Sequence, residues 1–237
     1  MPLTESGAAP PETLSVGKFH LEWTGLSRGQ NEGKSIPVQL QTSRGDIHAD
    51  YYPATSNGAP TKMGVVWVEG AGSHGPEGPP ETIYPPVCER LQRKGIAGLR
   101  LHYRRPGFTV HCVLDALCGI AFLQSEGIDR VALVGHSFGG AVVISAGALS
   151  PVVRAVVPMS SQTEDTELAS RVSPRPMLLI HGTSDSTLPS SCSEEIYEEA
   201  KEPKELRLFR GAGHDLFAVR DDVIDLLVTW IPEQLGR

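Results

Sequence analysis

The stretch from Asp129 to Ala148 constrains the fold of this chain more than any other. It begins with a β-branched apolar run, Val131–Val134, which is bounded by turn residues and is typical of a buried parallel strand. The segment Gly-His-Ser-Phe-Gly-Gly follows at 135–140, and small and apolar residues from Ala141 to Leu149 then predict a helix. This order of strand, tight turn and helix is the building unit of parallel α/β sheets, so an α/β fold is expected.

The turn inside this stretch carries a Gly-x-Ser-x-Gly motif centred on Ser137. A serine placed in a strained turn needs neighbours without side chains, because strand and helix must approach closely there, and Gly135 and Gly139 meet that need. We expect the Ser137 hydroxyl to project beyond the sheet at the helix N-terminus, where free N–H groups favour developing negative charge. The alternative is an ordinary turn whose glycines serve packing alone.

Length and charge limit what the chain can do. Its 237 residues with alternating strand and helix signals favour one domain, and 40% hydrophobic composition is ordinary for a soluble protein. Residues Met1–Ser15 are rich in Pro, Ala and Ser, which predicts a loosely ordered tail, and residues 16–237 are predicted to form the domain. A net charge of −7 without a basic patch argues against nucleic acid or an anionic membrane as partner.

Targeting and cysteine signals point to a soluble, cytoplasmic protein. The first fifteen residues lack the basic and apolar regions of a secretory signal, and no segment approaches the roughly 18 consecutive apolar residues of a membrane span. The four cysteines show no metal-ligand spacing, which predicts reduced thiols; they are Cys88, Cys112, Cys118 and Cys192. The sequence predicts no metal site and no cofactor, and it leaves the oligomeric state open.

Strand and helix patterns alternate from Met63 to the end of the chain. The predicted strands are Met63–Val68, Gly98–Tyr103, Val131–Val134, Val152–Met159, Met177–Ile180 and Leu206–Phe209. The predicted helices are Tyr84–Lys94, Thr109–Ser125, Ala141–Leu149, Ser193–Ala200 and Asp221–Ile231. Earlier strands are expected around Phe19–Trp23, at Ile36–Leu40 and at Ile47–Tyr52. This order predicts a mostly parallel central sheet that is covered by helices on both faces.

Three candidate catalytic residues each follow a different predicted strand: Ser137, Asp185 and His214. Open parallel sheets hold their sites at the carboxyl ends of their strands, so these side chains are expected to meet. A serine hydroxyl needs a base to take its proton, and that base needs an acid that holds its tautomer. The alternatives are a surface histidine and a turn-capping aspartate. Surface or packing roles are assigned to the other histidines considered, His20, His48, His102 and His111.

A second glycine-rich turn, Glu69–Gly75, follows the strand predicted at Met63–Val68. Such a turn can cradle phosphate, but the chain has neither a Walker lysine nor a Gly-x-Gly-x-x-Gly motif that opens a helix here. Donation of a backbone N–H to an oxyanion suits this turn better.

These motifs resemble those of the α/β-hydrolase superfamily, and more closely those of its small dienelactone-hydrolase-like serine esterases. The resemblance covers roughly residues 38–235 and rests on residues 135–140, on His181-Gly-Thr-Ser-Asp185 with Pro189, and on Gly211-Ala-Gly-His214. It implies an α/β-hydrolase fold without a large cap domain. It also implies a catalytic triad formed by Ser137, Asp185 and His214.

The resemblance further implies an oxyanion hole formed by the backbone N–H groups of Ala71 and Phe138. The chain departs from many relatives at Glu69, where a histidine usually stands before the glycine. Dienelactone hydrolases carry a glutamate there but pair it with a nucleophilic cysteine, whereas the nucleophile predicted here is a serine. Glu69 is interpreted either as a structural strand-end residue or as a group that polarises the site. Substrate contacts are predicted for Glu69, Gly70, Gly72, His136 and Arg104.

The leading functional hypothesis is a serine hydrolase that cleaves short-chain, small-molecule carboxylic esters through an acyl-enzyme. Other acyl chemistry stays open (thioesterase, lactonase, peptidase or acyltransferase), and so does a non-catalytic binding protein of the same fold, although such proteins commonly lack a triad member. The short polar segment Ser160–Ser173 leaves room for at most one small helix. It therefore predicts a shallow cleft, lined partly by residues 72–80 and by Arg104 and Arg105.

Overall fold

The computed structural model describes residues 4–5, 12–31, 33–56, 58–72 and 78–236. The strands are β1 (Thr4–Glu5), β2 (Glu12–Val16), β3 (Phe19–Arg28), β4 (Ile36–Thr42), β5 (Ile47–Tyr52), β6 (Thr55–Ser56), β7 (Ala59–Pro60), β8 (Met63–Val68), β9 (Ala97–His102), β10 (Arg130–His136), β11 (Val153–Met159), β12 (Met177–Gly182) and β13 (Lys204–Phe209).

The helices are α1 (Pro79–Thr82), α2 (Tyr84–Gln92), α3 (Thr109–Ser125), α4 (Phe138–Leu149), α5 (Ser191–Glu199) and α6 (Arg220–Leu235). Two short 3₁₀ turns lie at Ala169–Arg171 and Phe217–Val219. In the described part of the chain, no helix combines the length and the apolar character that a membrane crossing requires.

One large sheet organises the molecule, and its parallel half carries the elbow. The strand order is β1-β3-β4-β5-β9-β8-β10-β11-β12-β13, with β2 paired beside β3. The strands from β9 to β13 pair in parallel, whereas β1 to β5 form antiparallel pairs and β5 joins β9 antiparallel. Strand β10 lies between β8 and β11, so Ser137 leaves the sheet in the middle of its parallel half. The predicted mostly parallel sheet is confirmed.

Helices cover both faces of the parallel half, and this explains its continuous apolar strands. On one face Val66 and Val68 of β8 pack with α3 and α4, and on the other Val65 and Trp67 pack with α2 and α6. Successive side chains of a strand point to opposite faces, so a strand covered on both faces must be apolar at every position. This is why Met63–Val68 has no polar alternation.

The N-terminal region departs from the predicted tail. Strand β2 pairs antiparallel with β3, with Glu12 opposite Trp23, and Leu14 and Val16 pack against the core. The tail prediction is therefore wrong for residues 12–15, because the alternation of Leu14 and Val16 outweighs the local composition. Strand β1 also pairs with β3, while residues 1–3 and 6–11 lie outside the described residues.

The connection between β11 and β12 is short, as its sequence predicts. It contains only the 3₁₀ turn Ala169–Arg171 and irregular backbone, so no large cap domain is inserted there. Helix α4 begins at Phe138, three residues earlier than predicted, because the second half of the glycine motif forms the first helical turn. All four cysteines are free thiols; Cys192 is partly exposed, and burial raises the pKa of Cys112 to about 12.

Candidate active site

The elbow at the end of β10 has the strained geometry that its glycines predict. Ser137 has φ 57° and ψ −124°, in the left-handed region that a residue with a side chain rarely adopts. Its N–H donates to the carbonyl of Met159 over 2.8 Å, which holds the turn against the neighbouring strand. A Cβ added to Gly135 would lie 2.1 Å from the Gly139 carbonyl oxygen, so a side chain there would push strand and helix apart.

The elbow also packs directly on the turn that follows β8. A Cβ added to Gly139 would lie 2.3 Å from the carbonyl oxygen of Glu69. Phe138 opens helix α4, so its N–H has no acceptor within the helix. The exposed Ala71 lies two residues after Glu69. The two predicted oxyanion donors therefore belong to segments in contact, and their donation to an oxyanion stays a prediction.

An aspartate–histidine pair lies at the ends of β12 and β13. His214 Nδ1 is 2.7 Å from Asp185 Oδ2, and the other carboxylate oxygen accepts the N–H groups of Thr187 and Leu188 over 2.8 and 2.9 Å. Burial raises the pKa of Asp185, but hydrogen bonds from Leu188, His214 and Thr187 outweigh it and lower the pKa overall. An ionised Asp185 holds the proton of His214 on Nδ1 and leaves Nε2 free to accept one.

A second histidine, which the sequence analysis did not single out, completes the surroundings of Asp185. His181 Nε2 lies 3.1 Å from Asp185 Oδ2 and 3.0 Å from the Leu188 carbonyl oxygen, and its side chain is fully buried. Because Nε2 faces two acceptors it must be the donor, so Nδ1 accepts from the Ser193 hydroxyl over 2.7 Å. The sequence feature that could have predicted this contact is the position of His181, four residues before Asp185 in the motif that carries the resemblance.

The substrate contact predicted for His136 is wrong. Its side chain is only 1% exposed, and its Nε2 donates to the carbonyl oxygen of His214 over 2.7 Å. The two imidazole rings also pack with centroids 4.7 Å apart. His136 therefore supports the loop that carries His214.

The substrate contact predicted for Arg104 is also wrong. Its guanidinium is buried against the fully buried Asp115 of α3, with Nε and Nη2 at 2.6 and 2.5 Å from Oδ1. A cation removed from water needs such a carboxylate partner, so this pair is a structural element. The neighbouring Arg105 is exposed and lies over the ring of Phe108 at 4.6 Å.

Glu69 forms an ion pair with His102, whose Nδ1 is 2.9 Å from Oε1. This contact agrees with the interpretation of Glu69 as a strand-end residue. It also places His102, for which a surface or packing role was predicted, in a charged cluster. Substrate contacts by Glu69, Gly70 and Gly72 stay predictions. Residues 73–77 of the predicted cleft wall lie outside the described residues.

The structure thus brings the predicted catalytic residues to one edge of the sheet, after β10, β12 and β13. Asp185 and His214 are in contact, whereas Ser137 Oγ makes no hydrogen bond to His214 within the described residues. A nucleophile–base bond is often long until substrate binds. Among the described side chains, no group of three or more suits a metal ion.

A family model places the chain. The model of the dienelactone hydrolase family matches residues 106–226, just over half of the sequence, and this range contains Ser137, Asp185 and His214. The chain belongs to the dienelactone hydrolase family. This confirms the resemblance that the sequence motifs predicted.

Curated relatives add little on function. YfhR of Escherichia coli (strain K12), described as uncharacterized, is 27% identical over an alignment that covers 45% of this chain and 48% of the relative. YfhR of Escherichia coli O157:H7 is 30% identical over 39% of this chain and 41% of the relative. The chain therefore spans about half the length of the curated relatives it matches.

Solved structures confirm the predicted α/β-hydrolase fold. Est1E from Butyrivibrio proteoclasticus has a TM-score of 0.70 at 16% identity, covering 85% of this chain and 99% of its own. An esterase domain from Rhodothermus marinus gives 0.70 at 18% identity, with coverages of 86% and 100%. A dienelactone hydrolase from Anabaena variabilis gives 0.65 at 20% identity, with coverages of 98% and 99%. At these identities the likeness shows the fold alone.

Proposed function

We propose that this member of the dienelactone hydrolase family hydrolyses small carboxylic esters with short acyl chains through an acyl-enzyme. The observation that carries the proposal is the ionised Asp185 bonded to His214, on the same sheet edge as the strained Ser137 elbow. Structural packing alone gives no reason for a serine in the left-handed region beside such a pair, since strain of this kind costs about 1–3 kcal/mol.

The proposed reaction has two halves. Ser137 Oγ attacks the ester carbonyl carbon while His214 Nε2 takes the hydroxyl proton, and Asp185 stabilises the imidazolium that forms. The N–H groups of Phe138 and Ala71 donate to the oxyanion. The C–O bond then breaks, and His214 returns the proton to the departing alkoxide. Water attacks the acyl-enzyme with His214 again as base, which releases the carboxylic acid and restores Ser137.

The short connection after β11 supports small substrates. Between Ser160 and Ser173 the chain has one 3₁₀ turn and no inserted helices to bury a long acyl chain. Each additional buried methylene contributes only about 0.8 kcal/mol, and a shallow cleft buries few of them. The natural partner is therefore proposed to be a small-molecule ester.

Family membership adds a second candidate reaction for the same site. A lactone is a cyclic ester, so the attack proposed for Ser137 opens it by the same steps. This chain has a serine nucleophile where dienelactone hydrolases have a cysteine, so lactone opening does not follow from the family alone. Lactones are therefore to be assayed beside linear esters.

A fluorophosphonate probe tests the proposal. The wild-type protein should be labelled, and mass spectrometry of its peptides should place the adduct on Ser137. Ser137→Ala should lose the label and roughly 10⁴–10⁶ in ester turnover with the fold intact. Ser184→Ala, an exposed serine at the same edge, is the matched control and should keep both. An adduct elsewhere, or an active Ser137→Ala variant, contradicts the proposal.

A further inference from the structure

A charged cluster lies on the opposite side of the elbow from the Asp185–His214 pair. Its centre is His102, the last residue of β9, which lies between β5 and β8 in the sheet. Its Nδ1 is 2.9 Å from Glu69 Oε1, and its Nε2 is 3.6 Å from Asp50 Oδ2 on β5. One imidazole therefore bridges carboxylates that come from both neighbouring strands.

Only the protonated form of His102 can serve both carboxylates. An imidazolium has two N–H donors and a neutral imidazole has one. The carboxylates of Asp50 and Glu69 outweigh burial and raise the pKa of His102 to about 9, while His102 in turn lowers the pKa of Asp50. His102 is therefore charged at neutral pH, and it loses its proton only in the alkaline range.

The other charged and titratable groups nearby do not replace His102. Arg100 Nη1 is 4.0 Å from Asp50 Oδ2, the oxygen that also faces His102, and Arg100 Nη2 is 4.0 Å from Glu81. Arg100 therefore shares Asp50 with His102, whereas the ion pair of Glu69 is with His102. Burial raises the pKa of Tyr84 and of Cys88 on α2, which keeps both neutral. Other described groups near the cluster are His48, which is exposed and opposite His102 in the strand register, and Tyr52 at the end of β5. Tyr103 lies near Glu69, and burial raises the pKa of its phenol.

Glu69 links this cluster to the elbow. Its side chain pairs with His102, and its carbonyl oxygen packs where a side chain on Gly139 would otherwise lie. The next residues, Gly70–Gly72, include Ala71, whose backbone N–H is proposed to donate to the oxyanion. Glu69 precedes this turn directly, so the contacts of its side chain and of its carbonyl oxygen restrain where the turn begins.

We propose that protonated His102 is a positioning residue: by holding the carboxylates of Glu69 and Asp50 together it fixes the turn at Gly70–Gly72, and its deprotonation releases that turn. This inference rests on the esterase function proposed above. Loss of the proton removes the positive charge from both ion pairs, leaves one N–H donor for two carboxylates, and changes the net charge of the three side chains from −1 to −2. These changes act against an oxyanion that forms beside the turn.

The pH profile of turnover tests the role of His102. Hydrolysis of methyl butyrate, followed in a pH-stat, should show a falling limb of kcat with its midpoint near pH 9 in the wild type. Asp50→Asn removes one of the two carboxylates and should move that midpoint to lower pH. His102→Gln should lack the limb, and its kcat should lie roughly tenfold below the wild-type value at neutral pH, with little change in KM. His48→Gln, the exposed neighbour in the register, should keep the wild-type profile.

A direct titration separates this inference from the esterase proposal. In the Ser137→Ala protein, the His102 ring resonance, assigned by its absence in a Ser137→Ala, His102→Gln double variant, should titrate near pH 9. Titration at neutral pH or below overturns the inference whatever the activity, and so does an unmoved limb in Asp50→Asn. Absence of any ester turnover in the wild type contradicts the esterase proposal instead, and the His102 titration then decides whether the cluster itself is as described.

Discussion

Replacement of Asp185 by asparagine is the sharpest perturbation of the proposed mechanism, because the change is almost isosteric. The carboxylate accepts four hydrogen bonds from the described residues. Oδ1 accepts from the N–H groups of Thr187 and Leu188, and Oδ2 from the rings of His214 and His181. An asparagine side chain has only one acceptor oxygen, so either orientation places its NH₂ group against two donors.

Each orientation has a different cost. If the amide oxygen faces Thr187 and Leu188, the NH₂ group faces His214, which must then take the tautomer with its proton on Nε2. That tautomer cannot accept the proton of Ser137, and the expected loss in kcat is about 10⁴-fold. If the oxygen faces the histidines, the N–H groups of Thr187 and Leu188 lose their acceptor. The loss costs about 1–3 kcal/mol for a buried group, and the part-buried Leu188 lies nearer that cost than the exposed Thr187. The first orientation is therefore favoured, and we expect a folded, slow enzyme.

Steady-state kinetics on a short nitrophenyl ester, with the melting temperature measured in parallel, test this expectation. Asp165→Asn and Asp215→Asn are matched controls. Asp165 has φ 62°, which asparagine tolerates, and Asp215 Oδ1 accepts the N–H of Phe217 over 3.0 Å. Both controls should cost far less activity than Asp185→Asn. If Asp185→Asn stays within about tenfold of wild type, the tautomer mechanism is refuted.

Three further predictions address stability and specificity. Arg104→Ala leaves the fully buried Asp115 without its charged partner and with only the backbone N–H of residue 104, and it should cost roughly 3–5 kcal/mol in urea unfolding. A fully stable variant with a raised KM would instead support the substrate contact predicted for Arg104. The pKa of Asp185 is lower in the folded protein than in the unfolded chain, so its stabilising contribution is present above the unfolded value of about 3.9 and is lost as pH falls below it. Asp185→Asn should therefore lose less stability than wild type between about pH 5 and 3, and equal losses measured by unfolding would contradict this. On nitrophenyl esters of about two to sixteen acyl carbons, gains in kcat/KM should stop near six carbons, whereas a steady rise would reveal a deep apolar pocket.

The positions of the reacting groups could be predicted because local sequence determines them. Ser137 needs glycines on both sides, since a side chain at 135 or 139 collides with backbone at 2.1 or 2.3 Å. Asp185 and His214 lie in the loops that follow β12 and β13, and strands that pair in parallel end at one edge. The glycine positions and the apolar strand patterns are therefore enough to predict where these three residues lie.

The supporting residues could not be predicted in the same way, because burial is a tertiary property. Arg104 was expected in the cleft since it follows a strand, but its partner Asp115 lies on α3, eleven residues later. His136 precedes Ser137 directly, and His102 lies two residues before Arg104. His136 is nevertheless buried against His214, and His102 bridges two strands. A histidine in a single sequence has no mark that separates these roles from a surface position.

The strained turn at Ser137 contacts both the strand on one side of β10 and the turn that follows the strand on its other side. The elbow is held through the Met159 carbonyl on β11 and through close packing of Gly139 on Glu69 after β8. A change in the Glu69 backbone therefore acts on the nucleophile as well as on the turn at Gly70–Gly72. The Glu69 side chain is partly exposed, so its removal costs little packing in the core. Substitution of Glu69 should consequently lower activity more than stability, because backbone geometry at the elbow depends on it and the apolar core does not.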